Sequence, residues 1–551
     1  MKKWKVLPPP PERAFKEHPE LPALFAHLLF NRGLVNPSQI EAFLAADERL
    51  QGDPQLLPDI SQAVARILRA LLSRELIAVY GDFDVDGVTA TAVLTQGLSQ
   101  LGARAIPYIP HRQEGHGLNS SALEEMQGQG VSLTITVDCG TGDYREVEEA
   151  ESKGLDVIIT DHHRVISPLP PALAVVNPQR EDSKYPSREL AGVGVAFKLL
   201  QALYQATGRE SPDEFLDLVA LGTVADLVPL TGENRYLVKR GLEALNEPQR
   251  LGIQELRSCA GVKNIDTEAI SYILAPRLNS AGRLDHASAS YELLITSSLE
   301  EARTLAVQLE RTNAERQGLT QKVLEAAERK LLPLGDAPIL IVGDENFPAG
   351  VNGLVASKLV EKFYRPAVVL ELGEEVSQGS CRSIPEFNIV AALSTCRDLL
   401  TRFGGHAQAA GFTLPTSNVE PLRQRLTAIA RRELGGLDLH PLITIDAEVP
   451  LSSLSREVLG FLERLKPFGQ GNPTPTFLSR GVRVIDCHRV GDNGEHLKLK
   501  LRERDASWEA IGFDLGQLVD QVASSIDIVY NLGVDDWTGE RLLRLEILDF
   551  Q

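Results

Sequence analysis

The sequence predicts a multidomain α/β protein in which two α/β units are joined by one long helix and followed by a β-rich tail. Three observations carry that prediction. A chain of 551 residues exceeds what one hydrophobic core organises and points to three or four domains. From Leu76 onward, short apolar runs alternate with longer amphipathic stretches, the pattern of a parallel sheet and its crossover helices. Beyond about residue 440 the helical spacing gives way to β-type runs.

Residues 1–55 read as a polar, helical lead-in, with Ser38 capping a helix through Ile40, Phe43 and Leu44. Residues 56–298 form the first unit, with strands expected at 76–80, 105–109, 133–137, 157–160 and 174–176 and helices such as 88–101 and 194–204. Residues 299–334 read as a connecting helix. Between Leu299 and Leu332 there is no proline and one glycine, Gly318; Leu305, Leu309, Val323 and Leu324 supply an apolar stripe, and Pro333 and Gly335 end it. Residues 335–438 form a second α/β unit, with strands at 339–342 and 367–370 and helices near 354–363 and 389–402. Residues 439–551 carry β-type runs at 477–485, 496–501 and 526–532, which fit an antiparallel barrel or a sandwich.

Composition narrows the function classes. Apolar residues at 43% and charged residues at 24% exclude general disorder. Acidic side chains outnumber basic ones 75 to 56, a net charge of -19. That excludes a uniformly basic nucleic-acid coat but not a local basic groove, and carboxylates on metal ions escape the count. Cys139, Cys259, Cys381, Cys396 and Cys487 are scattered with no C-x-x-C pair, which fits a reducing compartment better than a disulfide framework or structural zinc. The basic N-terminus runs into Pro8–Pro11 without an apolar stretch, and no run approaches the roughly 18 apolar residues of a membrane span. The expectation is a cytoplasmic protein with no membrane partner.

Three of the expected strands end in carboxylates. Residues 78–80 lead into Gly81-Asp82-Phe83-Asp84-Val85-Asp86-Gly87, residues 135–137 into Asp138-Cys139-Gly140, and residues 158–160 into Asp161-His162-His163. The carboxyl ends of parallel strands share one edge, where ligands bind, so these groups converge. Unshielded, they repel; divalent cations are the natural counter-charge. Oxygen and imidazole donors without thiolate favour manganese or magnesium over zinc. Asp226, alone in the apolar segment 221–229, is a fourth candidate. A lone Asp at a strand end is commonly a helix cap or an Asx-turn. Three such ends, one with paired histidines, go beyond that explanation. Cys139 reads as a packing residue, because the adjacent carboxylate raises a thiol pKa.

These motifs resemble the DHH phosphoesterase superfamily: Asp161-His162-His163 is similar to its signature triplet, the Gly81–Gly87 and Val137–Gly140 segments to its first two motifs, and Gly222-Thr223-Val224-Ala225-Asp226 to its fourth. The runs 275–284, Gly379-Ser380-Cys381-Arg382-Ser383, Arg402-Phe403-Gly404-Gly405-His406 and 467–473 narrow the resemblance to the RecJ branch, over essentially the whole chain. It implies a parallel-sheet DHH catalytic domain, a connecting helix, a second α/β DHH-associated domain and a C-terminal OB-like β-barrel. It further implies a single-stranded-DNA-specific 5′→3′ exonuclease that releases 5′-mononucleotides in DNA repair and recombination. Tyr80 stands where many relatives place a metal-binding histidine, so Asp82 is assigned that role.

The chemistry agrees with the resemblance, since two metals about 4 Å apart can hold a hydroxide and polarise a phosphate. Asp82, Asp84, Asp86, Asp138, His162 and Asp226 are the expected ligands of two Mn2+ (or Mg2+) ions, with Asp138 bridging. His163, Asp138 and Asp161 form the expected catalytic set, His163 acting on a non-bridging phosphate oxygen. Ser380 and Arg382 suit a terminal phosphate; Arg112, Arg277 and Arg283 are candidate clamps, although a surface ion pair is the commoner role of a single arginine. His406 lies in a glycine-flanked turn suited to phosphate. Tyr108, Phe387, Phe403 and Trp537 are candidate stacking residues, and the tail extends the single-strand track. The expected partners are single-stranded DNA with a 5′ end, a helicase and a single-strand-binding protein, the enzyme itself being a monomer. The alternatives are a phosphodiesterase of cyclic dinucleotides or short oligonucleotides and a metal-free replication scaffold.

Overall fold

The computed structural model describes residues 2–11, 21–165, 168–333, 335–504, 506–535 and 542–551. In the first unit five parallel strands lie in the order Arg104–Tyr108, Leu76–Tyr80, Val131–Val137, Asp156–Thr160, Ala174–Val176. Alternation along each strand feeds two cores. Ile77 and Val79 face one, packed by the helices Val85–Gln100 and Gly192–Ala206; Ala78 and Tyr80 face the other, under Ser120–Gly128 and Tyr144–Ser152. The chain leaves Leu76–Tyr80 for one edge and then crosses to Val131–Val137 on its other side. That change of direction opens a crevice at the carboxyl ends of these two central strands.

The helix Leu299–Leu331 joins the units over a length of about 50 Å. Ser298 caps it through the Glu301 amide, and Glu300 and Glu301 at its start and Arg329 and Lys330 at its end complement the helix dipole. Leu305 and Leu309 belong to the first core; Val323 and Ala327 pack with Leu340, Val351 and Val355 of the second unit. There the strands run in the order Arg402–His406, Ala409–Pro415, Val376–Arg382, Ala367–Glu371, Leu340–Asp344, and the last two alone are parallel. The helix expected at 389–402 ends at Ser394, and Arg402–His406 is a strand. Gly404 and Gly405 are poor helix residues, and the backbone at Gly405 (φ 132°) suits a hairpin edge.

The C-terminal strands Thr476–Val490, His496–Glu503, Ala506–Gly512, Leu542–Phe550 and Ser525–Asp535 pair in that order, and the last closes on the first. The tail is therefore a barrel and not a sandwich. The lead-in belongs with it. Lys3–Val6 is a strand rather than helical, and it pairs in parallel with Leu442–Ile445. Phe25, Leu29, Ile40 and Phe43 complete the barrel core with Leu465, Phe477 and Leu499. Asn36, not Ser38, caps the helix Pro37–Ala45. Fully buried Arg235 rivets the first unit to the barrel, donating to the carbonyls of Phe43 (2.7 Å), Leu465 (2.8 Å) and Lys466 (2.6 Å). Among the described residues no helix is long and apolar enough to cross a membrane.

Candidate active site

The crevice between the two central strands collects the acidic strand ends. Asp84 caps the helix Val85–Gln100, its Oδ1 accepting from the Gly87 amide at 3.1 Å. A Cβ on Gly87 would lie 2.6 Å from the Asp82 backbone, so glycine is what lets this loop fold back. Asp86 accepts from the amides of Gly192 (2.7 Å) and Val193 (2.8 Å) at the start of the helix Gly192–Ala206. Asp138 adopts a left-handed backbone (φ 64°), which turns its side chain back into the crevice. Asp226 lies just beyond the helix Leu216–Ala225.

The ligand atoms fall into overlapping groups. Asp82, Asp84 and Asp138 form one, Asp86, His162 and Asp226 another, and Asp138, Asp161, His162 and His163 a third that shares Asp138 with the first and His162 with the second, each within 4.8 Å. The His162 Nε2 lies 3.1 Å from Asp138, 3.6 Å from Asp226 and 3.9 Å from Asp86, so Asp138 sits between the groups. The Asp138 Oδ1 and His162 Nε2 are buried without a hydrogen-bond partner. Orphaned atoms of this kind are costly unless something binds them, and the donor set is that of manganese or magnesium. The residues fit a pair of divalent ions.

Electrostatics separate the roles of Asp161, His162 and His163. Burial and the neighbouring Asp86 and Asp84 carboxylates push Asp138 well above the usual range. The same causes raise Asp226 to about 9 and, with Asp84, Asp86 to about 7. Burial and the charge of His163 hold His162 down at about 4, which leaves a neutral imidazole ready to ligate. Burial opposes the charge on His163, but its 2.8 Å hydrogen bond to Asp161 and the nearby carboxylates raise it to about 9. Asp161 stays below the ordinary carboxylate range: burial is outweighed by His163 and by backbone amides, including Thr141 at 2.9 Å. Asp161 is thus saturated and orients His163, a half-exposed imidazolium at the mouth of the crevice.

The second unit closes one side of the crevice. The guanidinium of Arg112 stacks 4.2 Å from the Phe83 ring and donates to the Gly282 carbonyl at 2.9 Å. Arg283 bonds the Gly350 carbonyl at 3.2 Å, and burial together with the charges of Arg112, Arg316 and Arg382 lowers it to about 9. Arg382 donates to the Cys381 carbonyl at 2.8 Å, and Ser380 shares its face of the strand Val376–Arg382. None of these four arginines has a carboxylate ion pair among the described residues. Like charges gathered without a direct ion pair, with Asp84 the carboxylate felt by both Arg112 and Arg283, form a cradle for an anion. His406 ends an exposed strand rather than sitting in a turn, yet its charge is felt at His162.

Other expected contacts are not brought to the crevice. Arg277 is bidentate to Glu310 (2.5 and 3.2 Å) and donates to the Ile273 carbonyl at 2.7 Å, stapling the helix Ala275–Leu284 to the long helix. Phe387 is buried in the second unit's core, with Phe403 against it. Tyr108 is tied to Glu114 at 3.0 Å, and Trp537 lies outside the described residues. The Tyr80 hydroxyl donates to the Gly117 carbonyl at 3.0 Å, on the side of its strand that faces the second core.

Sequence reasoning missed Arg316 and His116. The His116 Nδ1 lies 2.5 Å from the Asp82 Oδ2, its ring is 4.4 Å from that of Phe83, and Arg402 holds its carbonyl at 3.1 Å. The available signal was a histidine between two glycines, Gly115 and Gly117, both with positive φ.

Comparison with known proteins agrees with this geometry. Residues 76–223 match the model of the DHH family N-terminal domain, 336–432 the DHHA1 domain and 445–549 the RecJ OB domain. Fold and site together thus define a DHH-class protein with an acidic metal-binding crevice. The chain is 38% identical over 557 residues to the single-stranded-DNA-specific exonuclease RecJ of Bacillus subtilis (strain 168), covering 99% of this chain and 70% of that one. It is 32% identical over 571 residues to the protein of the same name from Escherichia coli (strain K12), covering 96% of each. The crystal structure of RecJ from Thermus thermophilus in complex with Mn2+ matches with a TM-score of 0.86 and 32% identity, covering 100% of this chain and 79% of that one. A related structure of that protein is in complex with Mg2+. The chain belongs to the RecJ family.

Proposed function

We propose that this protein is a single-stranded-DNA-specific 5′→3′ exonuclease that releases 5′-mononucleotides in DNA repair and recombination, with two Mn2+ or Mg2+ ions as cofactors. One observation carries the reading: a metal-type carboxylate cluster with orphaned buried atoms lies beside Arg112 and Arg283, which, like Arg316 and Arg382 near them, make no ion pair among the described residues. Asp82, Asp84 and Asp138 hold one ion, and Asp86, His162, Asp226 and Asp138 the other. When bound, the ions supply a nucleophilic hydroxide and Lewis-acid polarisation of the phosphate. His163, kept protonated by Asp161, donates to a non-bridging phosphate oxygen, where charge grows in the transition state. Arg112, Arg283, Arg382 and Ser380 receive the terminal 5′-phosphate and stop the strand at a fixed distance from the ions. Arg277 and the aromatic residues Phe387 and Phe403 support packing instead.

The barrel extends the single-strand track, and this favours a polymeric substrate over a cyclic dinucleotide. The intact ligand set argues against an inert scaffold. The remaining parts of the reading are a monomeric cytoplasmic enzyme that works with a helicase and a single-strand-binding protein. The test uses 5′-labelled and 3′-labelled single-stranded DNA, with Mn2+ supplied or chelated, and a cyclic dinucleotide in parallel. Labelled mononucleotide should appear at once from the 5′ label alone, and only with metal. Mononucleotide released first from the 3′ label, or hydrolysis in chelator, would overturn the proposal.

A further inference from the structure

The segment after Asp226 carries a side chain that folding does not account for. Leu227 has a left-handed backbone (φ 61°), and its side chain is 66% exposed. Its amide closes the helix end on the Val224 carbonyl at 3.3 Å, a position that glycine fills with least strain. A lone exposed leucine is ordinary. Bulky left-handed residues also end helices at Arg74 and Tyr364, but Leu227 differs from them in standing next to a metal-ligand candidate, Asp226. Its neighbours are unlike it: Val228 and Pro229 are half-buried and Leu230 is buried.

The position of Leu227 supplies the reason for it. On one side is Asp226, whose carboxylate lies 3.6 Å from His162. On the other, the Leu230 amide donates to the Gln470 carbonyl at 2.7 Å, in the turn that leads into the barrel. A Cβ on Gly471 would lie 3.0 Å from Pro229, so the two segments are in contact. Residues 227–230 thus link the metal centre to the entry of the barrel, and Leu227 is the exposed apolar side chain of that link.

We propose that Leu227 is a substrate-contact residue whose isobutyl group packs on the base of a nucleotide on the barrel side of the metal centre. The contact is apolar and independent of sequence, as suits an enzyme that degrades any strand. The inference rests on single-stranded DNA hydrolysis at this centre.

The test pairs Leu227→Gly with single abasic sites at each of the first four positions from the 5′ end. Glycine suits the backbone, so Leu227→Gly and the second variant Leu227→Asn should melt at or above the wild-type temperature. On intact DNA both variants should show kcat/KM lowered by about five- to ten-fold, from the contribution of one base contact. Wild type should lose a similar factor at one abasic position, and the variants should lose nothing further there. Equal abasic penalties in wild type and variants at all four positions, or unchanged rates on intact DNA, would overturn the inference. No hydrolysis by the wild type would overturn the exonuclease reading, and this inference with it.

Discussion

Replacement of Arg382 by alanine should impair digestion of 5′-phosphorylated strands far more than that of 5′-hydroxyl strands. The guanidinium ends the strand Val376–Arg382 and makes one backbone hydrogen bond. Arg283, near Arg112, Arg316 and Arg382, is lowered to about 9 by burial and by their like charges, so the cluster repels itself until an anion enters. A terminal phosphate carries nearly two negative charges and accepts from a fork of N–H donors. Loss of one charge-assisted hydrogen bond costs about 1.5–3 kcal/mol, or roughly ten- to a hundred-fold in kcat/KM. Without the phosphate the arginine has less to hold, and the loss should shrink to a few-fold. The assay is steady-state hydrolysis of one oligonucleotide with either 5′ end, beside a thermal melt. The melt should not fall, because removing one of several like charges relieves repulsion. Equal losses on both ends would refute a terminal-phosphate role and make Arg382 a general backbone contact.

Four further outcomes are expected. Asp138→Asn should abolish turnover while single-stranded DNA binding persists; a tenth of wild-type turnover in Mn2+ would contradict its shared position between the ligand groups. Arg277→Ala should lower the melting temperature by several degrees through loss of its paired bonds to Glu310 and leave the 5′-phosphate preference unchanged, which kinetics on both oligonucleotides checks. Asp226 and Asp86 are raised to about 9 and about 7, above their unfolded values. Chelated protein should therefore lose stability as pH rises from about 5 to 9, while Mn2+ flattens that dependence; thermal melts across pH decide it. Lys498, Lys500 and Arg502 alternate outward on the barrel strand His496–Glu503. Changing all three to alanine should lower the salt slope of long-strand binding by about 2 and spare cleavage of very short strands.

The catalytic sheet was legible in the sequence because its strands are buried on both faces and so stand out as apolar runs. Parallel strands also bring their carboxyl ends to one edge, which is why Asp82, Asp138 and Asp161 could be placed together from spacing alone. Contacts that depend on distant segments were not legible. Lys3–Val6 pairs with residues about 440 positions away, and Phe25 and Phe43 fill a barrel core made of C-terminal strands; no local pattern encodes either. Deleting the chain from residue 440 would for that reason strip the lead-in of its core rather than test the DNA track alone. His116 reaches Asp82 across 34 residues on a short loop between glycines. Arg277 and Arg283 lie on the same helix, yet Glu310 on the long helix captures one and leaves the other in the cradle. Residue type alone could not separate them.

The strand-end carboxylates should hold two divalent ions in the crevice. Calorimetric titration of chelator-stripped protein with Mn2+ tests it without reference to turnover. The wild type should bind two ions per chain and Asp226→Asn one, and binding to the wild type should release protons as the raised carboxylates ionise. A stoichiometry of one or none for the wild type, or two ions bound undiminished by Asp226→Asn, would contradict it.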